Sequence, residues 1–168
     1  RLQPADAIVV DESLTTGSTY WAESERSLPF THLTLTGGAI GSGPCLAVGA
    51  AVACPHRRVV NFQADGSALY STPALWCQSR EGLDVTTIIC KNDAYRILDV
   101  ERATQGLGSG GSQSKRLTDL SGPSIDWVSL ARGYGVQGVS VKTAVDLRMA
   151  LAESFRTPGP FLIEACLV

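Results

Sequence analysis

No two cysteines in this chain are spaced as CxxC, and their number is odd. Cys45, Cys54, Cys77, Cys90 and Cys166 stand among mostly apolar neighbours. They argue against a zinc site or a disulfide framework, and for buried free thiols in a reducing cytosol. No apolar run approaches the ~20 residues that a membrane-spanning helix needs, and no secretory leader is visible. Excess charge is missing too. Fourteen Lys and Arg face 16 Asp and Glu, a net charge of −2, so neither nucleic acid nor an anionic membrane is an expected partner. An initiator methionine is also absent. The chain opens RLQPADAIVV, as expected of a domain taken from a longer polypeptide.

What is present suits a soluble globular protein. The 168 residues fit a single domain spanning 1–168 with one sizeable core. With 44% hydrophobic and only 18% charged residues, part of the surface is expected to pack against another body. The 17 glycines fall in clusters, not in a repeat. Six short apolar runs recur: AIVV (7–10), HLTL (32–35), VVNF (59–62), VTTIIC (85–90), VQGVSV (136–141) and FLIEACL (161–167). They are rich in β-branched residues, and the later ones are largely apolar throughout, not alternating, as in strands covered on both faces. Segments compatible with helix lie between them, at about 15–25, 41–54, 70–81, 94–104, 124–133 and 143–156. Alternating strands and helices predict an α/β fold: a doubly wound, mainly parallel six-stranded sheet with helices on both faces. Such sheets bind ligands beyond the carboxyl ends of their strands.

The run VVNFQADGSALYS (59–71) ends on an acid placed at such a strand end. Asp65 reads either as a ligand group or as the N-cap of a following helix. Asn92 comes 27 residues later, again just past a strand. In a βαβ unit of that length the two strands are neighbours or nearly so, and both side chains would face one crevice. One carboxylate plus one amide oxygen is a hard-oxygen set. With a backbone carbonyl and phosphate oxygens it would complete an octahedral Mg²⁺ site. Two more strand ends offer phosphate donors. Thr15 and Thr16 in DESLTTGSTYW (11–21) sit where a helix begins. TGGAIGSG (36–43) carries glycines that let backbone approach a ligand. By contrast GLGSGG (106–111) fits G-x-G-x-x-G but follows a helical pattern, whereas a dinucleotide site needs a strand first. It reads as a mobile loop at the mouth of the site, continued by the polar stretch GGSQSKRLTDLSGP.

A "GDG" followed one βαβ unit later by "NN" marks enzymes that use thiamine diphosphate. Here the matching residues are Ala64-Asp65-Gly66 and Lys91-Asn92. GGAIGSGPCLAVGAA, DGSALYSTPALW, SIDWVSLARGYGV and GPFLIEACLV extend the likeness over nearly the whole chain. The chain thus resembles the carboxyl-terminal, diphosphate-binding domain of the acetolactate synthase and benzoylformate decarboxylase family. The resemblance implies thiamine diphosphate and Mg²⁺ as cofactors. It makes Asp65 and Asn92 metal ligands, with the backbone carbonyl of Ala94 a third. It assigns Gly66, Ser67, Thr15 and Leu14 to the diphosphate. The Gly38 carbonyl meets the aminopyrimidine, and Ile40 lies beneath the thiazolium. The sequence departs from the pattern at Ala64 and at Lys91, whose charge would oppose a metal, with Asp93 placed to offset it.

The resemblance further implies decarboxylation or carboligation of a 2-oxo acid, with the cofactor supplying the nucleophile and electron sink. Its activating glutamate belongs to an amino-terminal pyrimidine-binding domain, usually of another subunit in a homodimer or homotetramer. No catalytic acid or base is therefore assigned here, and the 168-residue chain alone is expected to be inactive. His32 and His56 read as surface or strand-end residues. The alternatives are a non-catalytic or regulatory family member, hinted at by Lys91, and an unrelated nucleotide- or flavin-binding α/β domain.

Overall fold

The apolar runs become β1 (Ile8–Glu12), β2 (Thr31–Thr34), β3 (Val59–Ala64), β4 (Val85–Lys91), β5 (Gln137–Val141) and β6 (Phe161–Cys166). The computed structural model describes residues 2–108 and 110–167. The six strands form one sheet in the order β2-β1-β3-β4-β6-β5, and every pairing is parallel. The helices between them are α1 (Tyr20–Glu23), α2 (Ser42–Ala53), α3 (Asp65–Ala68), α4 (Ala74–Arg80), α5 (Arg96–Thr104), α6 (Ser112–Thr118), α7 (Trp127–Gly133) and α8 (Ala144–Ser154).

Both faces of the sheet are covered, which explains the unbroken apolar runs. On one face Val9, Val60, Ile88, Phe161 and Ile163 pack with Ala150 and Leu151 of α8 and with Tyr20 and Phe30. On the other, Ile8, Val10, Val59 and Val85 pack against Ala47 and Ala51 of α2. Beside them Ile89 and Leu162 meet Leu75 of α4 and Trp127 and Ala131 of α7. Adjacent residues of one strand thus enter different cores, and the polar residues of the central strands, Asn61, Gln63, Thr86 and Thr87, are buried with them.

Two expected helices are interrupted. The segment 15–25 is a 3₁₀ turn (Thr16–Thr19), one α turn and a second 3₁₀ turn (Ser24–Arg26). Serine and threonine there bond to nearby carbonyls, Ser18 Oγ to Thr15 and Ser24 Oγ to Trp21, competing with a regular helix. Of the segment 70–81 only Ala74–Arg80 (α4) is helical, with Pro73 at its N-cap. Pro lacks the N–H that an unbroken helix would use. The polar stretch expected as a loop instead contains α6, tethered by Arg102 Nη1 to Ser114 Oγ at 2.7 Å. Ser109, inside the glycine-rich run 106–111, lies outside the described residues. All five cysteines are free, as expected, but only Cys90 is buried. Cys45 is exposed and the other three are half-buried.

The strand order locates the binding crevice. From β1 the chain turns outward to β2, then crosses back through α2 to β3 on the other side of β1. The order reverses between β1 and β3, and ligands bind beyond the carboxyl ends of strands at such a switch point.

Candidate functional site

Asp65 stands immediately past β3 and opens α3. It is 2% exposed. It is not a helix cap: Ala64 holds the N-cap position, and no side chain caps this helix. Its Oδ2 instead accepts from the backbone N–H groups of Asn92 (3.0 Å) and Asp93 (2.7 Å), beyond the end of β4. Its Oδ1 accepts from the N–H of Gly66 at 2.9 Å. The pairing of Val59–Ala64 with Val85–Cys90 makes β3 and β4 neighbours and brings the two strand ends together. Burial pushes the Asp65 carboxyl above the usual carboxylate range. Three amide hydrogen bonds oppose the shift, and nearby Asp93 adds to it. A cation would relieve the burial.

Asn92 directs Oδ1 at the N–H of Ala94, 3.0 Å away. Asp93 adopts a left-handed backbone (φ 54°) that turns the chain sharply after β4. The Lys91 ammonium does not point at Asp65. It bonds both oxygens of Asp93, at 2.7 and 2.6 Å, and Ser124 Oγ at 2.8 Å. Burial alone would lower the Lys91 pKa, but the Asp93 carboxylate more than reverses this and the net shift is upward. The unusual lysine is thus neutralised within the turn.

Leu14, Thr15, Ile40, Gly66, Ser67, Asn92 and Ala94 line one small hollow over these strand ends. Eight of the nine residues singled out from the sequence are brought together, since Asp65 bonds to Gly66 and Asn92 beneath it. Gly38 is the exception. It lies on an exposed turn two residues from Ile40. The hollow measures about 30 Å³, space for a water or two but not for a diphosphate. The Tyr95 ring fills the remainder. A Cβ added to Gly66 would meet Tyr95 Cε1 at 2.5 Å and Leu120 Cδ1 at 3.3 Å. Tyr95 and Leu120 are seated by Tyr95 N–H on Thr118 O and Leu120 N–H on Asp93 O, both 2.8 Å. A larger hollow of about 800 Å³ adjoins Ala94 between α5 and α6. The buried carboxylate and the amides converging on it lie beneath the smaller one, which makes that hollow the candidate site.

The donor set fits a small hard cation bridged to a diphosphate. Asp65 supplies one carboxylate, Asn92 an amide oxygen, and Thr15 and Ser67 supply hydroxyls. Leu14 and Ile40 present apolar surface to a ring. Among the described residues no three His, Cys, Asp or Glu form a metal-binding group. A single carboxylate is sufficient when phosphate oxygens complete the shell.

Three contributors were not anticipated. Gln63 Nε2 donates to Ser67 Oγ at 2.6 Å, while Ser67 Oγ donates to Ala64 O at 3.1 Å. Tyr95 covers Gly66. Glu12, buried at the end of β1, accepts from Gly41 and Gly43. An acid directly after an apolar strand was the available signal for Glu12, the same one that singled out Asp65. His32 lies in β2, 3.6 Å from Asp11 and stacked on Trp21, and His56 is exposed.

Comparison with known proteins agrees with this geometry. The family described as "Thiamine pyrophosphate enzyme, C-terminal TPP binding domain" matches residues 15–165. A Mycobacterium tuberculosis protein named "Putative acetolactate synthase large subunit IlvX" is 47% identical over 164 residues, covering 97% of this chain and 32% of its own length. Benzoylformate decarboxylase of Pseudomonas aeruginosa is 34% identical over 163 residues, covering 97% of this chain and 30% of the enzyme. The solved structure of the thiamine diphosphate-dependent 4-hydroxybenzoylformate decarboxylase of Rhodococcus jostii RHA1 superposes with a TM-score of 0.85 at 33% identity. It covers 98% of this chain and 30% of that one. The chain therefore spans about a third of the length of the relatives it matches. By its matched residues and its fold, this chain belongs to the thiamine pyrophosphate enzyme family, as a C-terminal TPP-binding domain.

Proposed function

We propose that this chain is the diphosphate-binding part of a longer 2-oxo-acid decarboxylase or carboligase, and that it holds thiamine diphosphate through Mg²⁺. The observation that carries the proposal is Asp65, a buried carboxylate with no cation partner among the described residues, held over the β3–β4 junction by three backbone amides. In the bound state Asp65, Asn92 and the Ala94 carbonyl hold the metal. Thr15, the Leu14 backbone, Gly66 and Ser67 hold the diphosphate. Gly38 and Ile40 support the ring end. The cofactor supplies the nucleophilic carbon and the electron sink, and the residues present here bind and orient it. The full enzyme acts as a homodimer or homotetramer in the cytoplasm, an environment that suits five free thiols. A pyrimidine-binding domain, from the other subunit, covers the crevice. Exposed Ile40, Tyr70 and Ile97 around its rim are the apolar surface that such a domain would bury. The pairing of Lys91 with Asp93 supports the catalytic reading over the non-catalytic alternative.

Calorimetry with thiamine diphosphate, with and without Mg²⁺, tests this. Binding that requires the metal is expected. Binding of equal strength without metal would overturn the Asp65–Asn92 assignment. Turnover of pyruvate or benzoylformate by the purified 168-residue chain would overturn the claim that it is only part of the site.

A further inference from the structure

Glu12 closes β1 and, at 2% exposure, is as deeply buried as Asp65. Among the described residues no Lys, Arg or His pairs with it. Its Oε1 accepts from the N–H of Gly41 at 2.5 Å, and its Oε2 from the N–H of Gly43 at 2.6 Å. Both donors sit at the start of α2, where the helix dipole and unpaired amides favour an anion. The approach is so close that a Cβ on Gly43 would collide with Gln63 Oε1 and Glu12 Oε2. On its other side Gly41 is held by Ser71 Oγ, which donates to its carbonyl at 2.7 Å.

The turn before this anchor has little support of its own. Gly37 and Gly38 both have positive φ, and nothing lies within 4 Å of where their Cβ atoms would be. Its internal hydrogen bonds, Ala39 N–H to Thr36 O and Ser42 N–H to Ala39 O, are long at 3.3 Å. The position of Gly38 and Ile40 is therefore set chiefly from Gly41 onward, by Glu12. The same residue is followed directly by Ser13, Leu14 and Thr15, whose last two line the hollow opposite Ile40. One buried carboxylate thus fixes the spacing between two loops that face a single ligand.

We propose that Glu12 is a positioning residue for the ring end of the cofactor, holding the Gly38–Gly41 turn at a set distance from the Leu14–Thr15 loop. The inference rests on the thiamine diphosphate assignment made above. A carboxylate is required because it offers an acceptor to each N–H. In Glu12→Gln the amide nitrogen faces one of the two donors, so one bond is lost with the side-chain volume unchanged.

Inorganic pyrophosphate with Mg²⁺ probes the phosphate end alone, and thiamine diphosphate with Mg²⁺ probes both ends. The wild-type chain is expected to bind thiamine diphosphate more tightly than pyrophosphate. Glu12→Gln should weaken thiamine diphosphate about tenfold and leave pyrophosphate within about twofold, the loss of one charge-assisted bond. Equal weakening of both ligands, or of neither, would overturn the positioning role. So would a wild-type chain that binds the two equally. A wild-type chain that binds neither overturns the thiamine diphosphate assignment itself, before any variant is made. Should Glu12→Gln fail to fold, two further measurements decide. Ser71→Ala should shift the same ratio in the same direction by about threefold. Hydrogen exchange of the wild-type chain should show Gly41 and Gly43 amides slower than that of Gly37. Exchange as fast as Gly37, or an unchanged ratio in Ser71→Ala, sinks the proposal.

Discussion

Asp65 and Glu164 are both buried carboxylates, one just past β3 and one within β6, and each accepts from a backbone N–H at a helix start, that of Gly66 in α3 and that of Trp127 in α7. Glu164 Oε2 takes the N–H of Trp127 at the start of α7, and Oε1 takes the Ser140 hydroxyl of β5. It sits within β6, paired through Ser140 with its neighbour, and lines none of the hollows described above. Asp65 sits one residue past β3, where the ladder has ended and the partners are turn amides of another loop. The difference of position decides the role. Within the ladder a carboxylate ties strand to helix. Beyond the ladder, at the switch point, the same group is buried just beneath the hollow lined by Gly66 and Asn92, where sheets of this kind bind ligands.

The comparison can be broken most sharply by exchanging what each acid is asked to do. Asp65→Ala is expected to weaken Mg²⁺-dependent binding of thiamine diphosphate on the order of a hundredfold or more, since it leaves the metal without its charged ligand. Its thermal unfolding should stay cooperative, and calorimetry read beside the melting curve checks both statements. Glu164→Gln should behave in the opposite way. It is expected to lose about 1–3 kcal/mol of stability in urea unfolding, the penalty for a compromised buried acceptor, with ligand affinity unchanged. A Glu164→Gln variant that folds normally but loses the ligand would erase the distinction. Asp93→Asn sharpens it at smaller scale. Lys91 would then face the crevice without its partner, and metal affinity should fall about five- to tenfold in low salt and less in high salt. Unchanged affinity would show that Lys91 is neutralised by something other than Asp93.

The strands were legible because burial on both faces puts β-branched and other apolar residues on both parities of the central strands. Val59 and Val60, adjacent in sequence, enter the α2 core and the α8 core respectively. Helix lengths were less legible. Pro73 and the serine and threonine hydroxyls after β1 act locally, yet the apolar spacing runs straight through them. The meeting of Asp65 and Asn92 was legible because both stand at the ends of strong strands within one βαβ unit. Tyr95 was not. Nothing near it in the chain announces that its ring will lie over Gly66, because Thr118 and Leu120 seat that loop from a distant segment.

By itself the amino-acid sequence determined the alternation of strands and helices, the parallel sheet that follows from it, and the acid and amide at two strand ends. These are short-range properties, written in apolar periodicity and in the residue that ends each run. Tertiary structure alone decided which acid finds its partners within the sheet and which finds them beyond its strand ends. Asp65 and Glu12 look alike in sequence, each at the end of an apolar run, and Glu164 interrupts another. Their partners lie 27 to 28, 29 to 31, and 24 and 37 residues away. A carboxylate's role depends on which amides and how much water surround it, and only the folded chain brings those neighbours together.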